Sequence, residues 1–231
     1  MILSDKCYLT DICWKYNNAE KACSSSATYC PKLFRMDYLY NEGLLTLKQR
    51  KHTTLRLDQD LTDKEAFVKL KGIESSIEEF VESGENLYLH SKICGNGKTE
   101  WALRLLQSYV GKIWYKSDLK CRVLFINVSR YLLAIKDNIN NYNEYAIHIN
   151  NNVMGADLVV WDDIATKGAT PFELEHLLSI IDCRINDGKS NIYTSNVSGA
   201  ELKDKIGDRL YSRIAHMSTD IELFGADKRG L

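Results

Sequence analysis

Ser91-Lys92-Ile93-Cys94-Gly95-Asn96-Gly97-Lys98-Thr99 is the stretch on which the fold of this chain turns. Before it runs Asn86-Leu87-Tyr88-Leu89-His90, apolar and β-prone; after it, Trp101, Ala102, Leu105, Leu106, Tyr109 and Val110 fall on one helical face. A Gly-rich turn that leaves a strand, ends in Gly-Lys-Thr and opens a helix suits an anion, because backbone N–H groups and the helix N-terminus point at it. On this reading Gly95, Asn96 and Gly97 form a phosphate cradle, Lys98 reaches the terminal phosphates of ATP, and the Thr99 hydroxyl ligates Mg²⁺. One position departs from the usual pattern. Five residues before Gly97, where a first Gly belongs, stands Lys92. Gly95 must then supply part of the conformational freedom. The plainer alternative is an ordinary Gly-rich turn with a chance Gly-Lys-Thr.

Working outward, near-continuous apolar strands alternate with helices. The strands are Asn86 to His90, Val123-Leu124-Phe125-Ile126, Leu158-Val159-Val160-Trp161, Asn191-Ile192-Tyr193-Thr194 and a last one near Asp220 to Leu223. Helices are expected over 62–83, closed by Gly84, from Ser129 to Asp137, and from Pro171 to Asn186. Ser198 and Glu201 could open a further helix as a capping box. Such a pattern implies an α/β fold with a parallel sheet covered on both faces. Between Asn138 and Asn152, seven of fifteen residues are Asn, which reads as a polar loop or frayed helix.

The 231 residues fit one mid-sized domain, 61–231, plus an accessory segment, 1–60. A net charge of −1 excludes a bulk polyanion binder, so any nucleic-acid contact needs a local basic patch. No apolar run approaches a membrane span and no signal-peptide pattern opens the chain, so a soluble, cytoplasmic protein is expected. Cys7, Cys13, Cys23 and Cys30 crowd the first thirty residues, spaced C-x5-C-x9-C-x6-C, ahead of a short helix near Leu33 to Tyr40. In a cytoplasmic protein such a cluster points to metal before disulfides. Four thiolates suit tetrahedral zinc; an iron–sulfur cluster or buried free thiols are the alternatives.

Phosphoryl transfer needs more than a cradle: a metal anchor, a positioned water and positive charge at the transferring group. The third strand ends in Asp162-Asp163, which assigns Asp162 to Mg²⁺ and Asp163 to the attacking water. Asp is a methylene shorter than the Glu commoner in that role, so slow or partner-stimulated hydrolysis is expected. Asn196, after the fourth strand, can lie between the acids and the γ-phosphate. Arg209 and Arg213, four apart, share a helix face, and Arg229 lies near the end; a guanidinium fork suits a phosphoryl oxyanion, while a solvated basic face is the bland alternative.

These blocks together resemble an AAA+ ATPase, and among those the replicative helicase loaders of the DnaC/DnaI type. The resemblance covers roughly residues 62 to 231. It rests on Gly-Asn-Gly-Lys-Thr at 95–99, Leu-Val-Val-Trp-Asp-Asp at 158–163, and Ile181-Asp182-Cys183-Arg184-Ile185 ahead of Tyr193-Thr194-Ser195-Asn196. Gly207-Asp208-Arg209 through Ser212-Arg213, and Asp227-Lys228-Arg229, complete it. The resemblance implies that Arg213, with Arg209 beside it, acts in trans on the ATP of a neighbouring subunit, that Arg229 is a second sensor, and that no helical lid follows. It implies a homo-oligomer, a replicative helicase and single-stranded DNA as partners, and a DNA-gripping insertion near Lys136 to Met154. The cysteine-bearing segment is similar to the helicase-binding segment of some bacterial and phage loaders. An IstB-type transposition helper and a non-hydrolysing ATP-binding adaptor are the rival readings. A small-molecule P-loop kinase lacks support, because the sequence shows no acceptor-binding lid.

Overall fold

A computed structural model of the chain describes residues 30–51, 55, 62–116, 118–165 and 169–227, together with residues 7, 9, 13, 16–17 and 22–23. Two short antiparallel strands, β1 (Tyr16–Asn17) and β2 (Ala22–Cys23), come first, followed by α1 (Pro31–Glu42), whose first turn carries Pro31 where no donor is lost. The main body runs α2 (Lys64–Ser75), α3 (Ile77–Glu82), β3 (Asn86–His90), α4 (Lys98–Ile113) and a 3₁₀ turn at Trp114–Lys116. Next come β4 (Val123–Asn127), α5 (Val128–Asn140), α6 (Glu144–Asn152), β5 (Leu158–Asp162) and α7 (Pro171–Asn186). The chain closes with β6 (Ser190–Ser195), α8 (Gly199–Ile206), α9 (Asp208–His216) and β7 (Thr219–Glu222).

Five strands form one sheet in the order β4-β5-β6-β3-β7, each pair parallel, with Leu87 opposite Ile192 and Val160 opposite Ile192 on the other side. Strand side chains alternate between two cores. Leu87, Leu89, Val123, Phe125, Val160 and Ile192 pack with Leu70, Phe80, Leu105 and Val110 from α2, α3 and α4. Tyr88, Leu124, Ile126, Val159, Trp161 and Tyr193 pack with Tyr131, Leu177, Ile181, Leu202 and Leu210 from α5, α7, α8 and α9. Burial on both faces is why these strands read as unbroken apolar runs. The expected α/β sheet flanked by helices is thus present, consistent with an AAA+ or P-loop fold.

Several local expectations need correction. The helix expected over 62–83 is two helices, because Ser75 and Ser76 both turn their hydroxyls onto the Gly72 carbonyl at 2.7 and 3.1 Å and compete with the helical ladder. Gly84 ends the second one as expected: its φ is +69°, Glu85 N–H reaches back to the Phe80 carbonyl at 3.1 Å, and a Cβ would lie 2.6 Å from the Gly188 carbonyl oxygen. The Asn-rich stretch is the end of α5 and the whole of α6, joined by a non-helical link at 141–143, and Asn127 and Asn143 act as side-chain caps for the two helices. The capping box belongs to Thr170 and Glu173 at the start of α7; Ser198 makes no side-chain cap.

The four-thiolate zinc site expected from Cys7, Cys13, Cys23 and Cys30 is not formed by the described residues. No group of three or more His, Cys, Asp or Glu side chains among them is placed to hold a metal. Cys7 and Cys13 instead sit half-buried against the first core, alongside Leu9, Met36, Leu39 and Tyr40. The side chain of Cys23 and all of Arg229 lie outside the described residues. Among the described residues no helix is long and apolar enough to cross a membrane.

Candidate functional site

Parallel pairing brings the C-terminal ends of β3, β5 and β6 to one edge of the sheet, where open α/β sheets place their ligands. From β3 the chain turns through 91–97 into α4. Ser91 is buried and organises the turn: its hydroxyl oxygen accepts from Ile93 N at 3.0 Å and from Asn96 Nδ2 at 2.6 Å. Asn96 also donates to the Leu223 carbonyl at 3.1 Å, tying the turn to the segment after β7. Its side chain is therefore committed to the scaffold, leaving its backbone for any ligand. Left-handed φ values occur at Gly95 (+78°) and Gly97 (+105°), and not at Lys92, which stays exposed. The two glycines thus supply the freedom that the missing first Gly would have given. Lys98 folds back over the turn, its Nζ donating to the Ile93 carbonyl at 3.0 Å and to Asn96 Oδ1 at 3.2 Å.

One carboxylate oxygen joins three elements. Asp162 Oδ1 accepts from Thr99 Oγ1 at 2.9 Å and from Thr194 Oγ1 at 2.9 Å. The Thr194 oxygen in turn accepts from Asp163 N at 2.9 Å. Thr194 was not singled out from the sequence, where only its place at the end of an apolar strand marks it. Thr99 and Asp162 present hard oxygen donors side by side, the donor set that Mg²⁺ takes.

Asp163 has a left-handed φ of +57°, which Asp tolerates better than most residues, and its carboxylate accepts from Asn196 Nδ2 at 3.1 Å. Burial and the neighbouring Asp162 charge raise its pKa above the usual carboxylate value, against the opposing pull of Lys98, Lys205 and Asn196. Gly95, Gly97, Lys98, Thr99, Asp162, Asp163, Thr194 and Asn196 line one polar cavity of about 150 Å³. A larger cleft of about 470 Å³ lies between the first turn of α2 and the end of β7, flanking Leu223, whose carbonyl Asn96 of the turn holds. There Asp63 accepts from Phe224 N at 2.7 Å and Gly225 N at 2.9 Å, and Phe224 offers an exposed aromatic ring.

The arginines are elsewhere. Arg213 pairs through Nε with Asp182, and Arg209 through Nη1 with Glu175 at 3.6 Å, so both stand along α7 and line neither cavity. The sequence-derived residues thus divide into a converged set at the strand ends and a pair on α9 remote from it.

No family model matches this chain, and no curated protein matches it. Solved structures do. A DnaC helicase loader structure aligns with a TM-score of 0.56 at 19% identity, covering 80% of this chain and 98% of that one. DnaI aligns at 0.61 and 15% identity, covering 82% and 100%. AMPPCP-bound DnaA from Aquifex aeolicus aligns at 0.56 and 18% identity, covering 76% of this chain and 50% of that one. At such identities the likeness is one of fold: this chain shares the architecture of these DnaC, DnaI and DnaA structures.

Proposed function

We propose that the chain binds ATP with Mg²⁺ between the 91–99 turn and Asp162, hydrolyses it in a self-assembled oligomer, and delivers a replicative helicase to single-stranded DNA. The observation that carries this reading is the shared Asp162 oxygen, bonded at 2.9 Å to the hydroxyls of both Thr99 and Thr194 on the floor of a polar cavity. The triphosphate would lie along the turn, its charge met by Lys98 and the first N–H groups of α4. The base would enter the larger cleft, where Phe224 can stack on it and Asp63, Asp220 and Glu222 offer acceptors to an amino group. Held by Thr99 and Asp162, Mg²⁺ would neutralise charge on the phosphate oxygens. Asp163 would orient the attacking water, and Asn196, bonded to Asp163, would sense the γ-phosphate. Arg213 would serve the site of the next subunit, which accounts for its distance from its own. Arg229 would contact the nucleotide of its own subunit. The similarity in fold to DnaC and DnaI supports the helicase as the partner class.

Two measurements test this. Lys98→Ala should abolish Mg²⁺-dependent phosphate release; unchanged release would remove the site. Purified chain should retain a replicative helicase in a pull-down and leave an IstB-associated transposase behind; the reverse would favour the transposition helper. The raised pKa and left-handed backbone of Asp163 favour one second reading, an adaptor in which ATP orders the domain without being hydrolysed. Tight nucleotide binding without phosphate release, with helicase and DNA both present, would select it.

A further inference from the structure

Two arginines on α9 compete for the role of trans-acting group, and the geometry of their partners separates them. α9 packs against α7, and α7 offers Glu175 and Asp182, two turns apart, to Arg209 and Arg213, one turn apart. The Arg209 pair is loose, 3.6 Å through a terminal nitrogen, with both side chains about two-thirds or more exposed, 78% and 66%. Screening by water leaves such a pair little hold on conformation. The Arg213 pair is close, half-buried, and made through Nε. The contact is an ion pair on a buried carboxylate oxygen that has no other partner among the described residues, and it leaves both terminal nitrogens of Arg213 without a hydrogen-bond partner among them, available to an oxyanion as a fork.

The ground under Asp182 is rigid. Ile181 before it is fully buried in the core. Arg184 after it is fully buried and donates to Asn191 Oδ1 and to the carbonyls of Val153, Ala156 and Ser190. A carboxylate fixed between two such anchors can hold a guanidinium in one direction without taking the nitrogens that a phosphoryl oxygen would use. We infer that Asp182 is a positioning residue: it grips Arg213 through Nε and presents its terminal fork to the γ-phosphate of the neighbouring subunit. This rests on the trans reading given above. A group preset in this way does not reorganise when charge develops on the phosphoryl oxygens.

The test uses full-length chain and ATP turnover across a range of protein concentrations. Arg213→Ala subunits, which keep a nucleotide site, are mixed with Lys98→Ala subunits, which keep the arginine. Such mixtures should recover turnover at the interfaces where one completes the other. With Asp182→Asn added to the Lys98→Ala subunit, that recovery should fall on the order of 10- to 100-fold in kcat, as a misplacement of about 1 Å does. KM, nucleotide affinity and self-association by sedimentation should be unchanged. Asp182→Glu should recover part of the loss. In unmixed protein, Asp182→Asn with Arg213→Ala should be no slower than Arg213→Ala alone. Recovery equal to or above that with Asp182 intact would overturn the inference, making the pair a surface bridge or a parked, inhibitory contact. A double variant far slower than Arg213→Ala would also overturn it, because Asp182 would then act by another route. If Arg213→Ala alone turns over like the wild type, or turnover never rises with concentration, the trans reading itself fails and takes this inference with it.

Discussion

Thr194 stands between two carboxylates and changes role with each: its proton goes to Asp162, and its oxygen receives the Asp163 amide. Thr194→Val keeps the shape and removes both bonds, so Mg²⁺-dependent ATP affinity should drop, and retention of full affinity would show that Asp162 needs no such support. On the proposed mechanism Asp163 would set the pH response. Only its ionised form can polarise a water, and its raised pKa places the acid limb of turnover above the ordinary Asp value of about 4. Asn196 donates to the ionised form and so lowers that pKa; Asn196→Ala should therefore shift the limb further upward. A limb that stays put or moves down would count against Asp163 as the group that titrates. Cys94 lies exposed in the turn, whereas burial pushes the Cys121 thiol up to about 12. MgATP should protect Cys94 from alkylation, followed by peptide mass analysis, and Cys121 should stay unmodified with or without it. The converged residues were legible because each ends or begins an element. Thr99, Asp162, Asp163 and Asn196 follow from a strand, turn and helix pattern alone. Thr194 and Ser91 were not, since a hydroxyl that bonds inward looks the same in sequence as one that faces water.

At the scale of elements, strands were the easiest to read, because burial on both faces gives β4 and β5 nearly unbroken apolar runs and leaves an apolar centre in β3 and β6. Helix ends were harder. The break at Ser76 and the Asn caps of α5 and α6 arise from side chains that bond locally to the backbone, and composition registers those residues only as polar. Thr170→Ala removes half of a complete capping box and should cost about 1 kcal/mol in urea unfolding. Arg184 stands in one of the blocks that carry the resemblance, but nothing in the sequence tells its role: it ties α7 to β6 and to the segment after α6. Burial lowers its pKa to about 10, which still leaves it charged at neutral pH. Arg184→Ala takes a donor from three carbonyls and leaves Asn191 Oδ1 with Trp161 Nε1 alone, so a loss of roughly 3 kcal/mol or more is expected, with Arg184→Lys recovering only part because an ammonium cannot span the same partners. A loss within 0.5 kcal/mol, the order of an ordinary surface change, would mean that water replaces the guanidinium.

For the whole molecule, the sheet order explains why residues scattered from 95 to 196 meet: β3 lies beside β6, and β6 beside β5, all running the same way. It explains equally why Arg209 and Arg213 do not join them, since α9 rides on α7. An arginine placed so serves a second copy of the chain or serves no phosphate. The N-terminal stretch resisted the sequence reading for a physical reason: cysteine is both a metal ligand and a small buried hydrophobe, and Cys7 and Cys13 lie against Leu9 and the first core with no metal-holding group among the described residues. The proposed activity depends on a triphosphate held at 91–99 with magnesium beside Asp162. Calorimetric titration of ATP into the full-length chain, with and without Mg²⁺, measures this most directly. The account predicts saturable binding of one nucleotide per chain that Mg²⁺ strengthens, and at least a tenfold weakening, about 1.4 kcal/mol, in both Lys98→Ala and Asp162→Asn. Binding indifferent to Mg²⁺ and to both substitutions, or no binding by the folded protein, would contradict it.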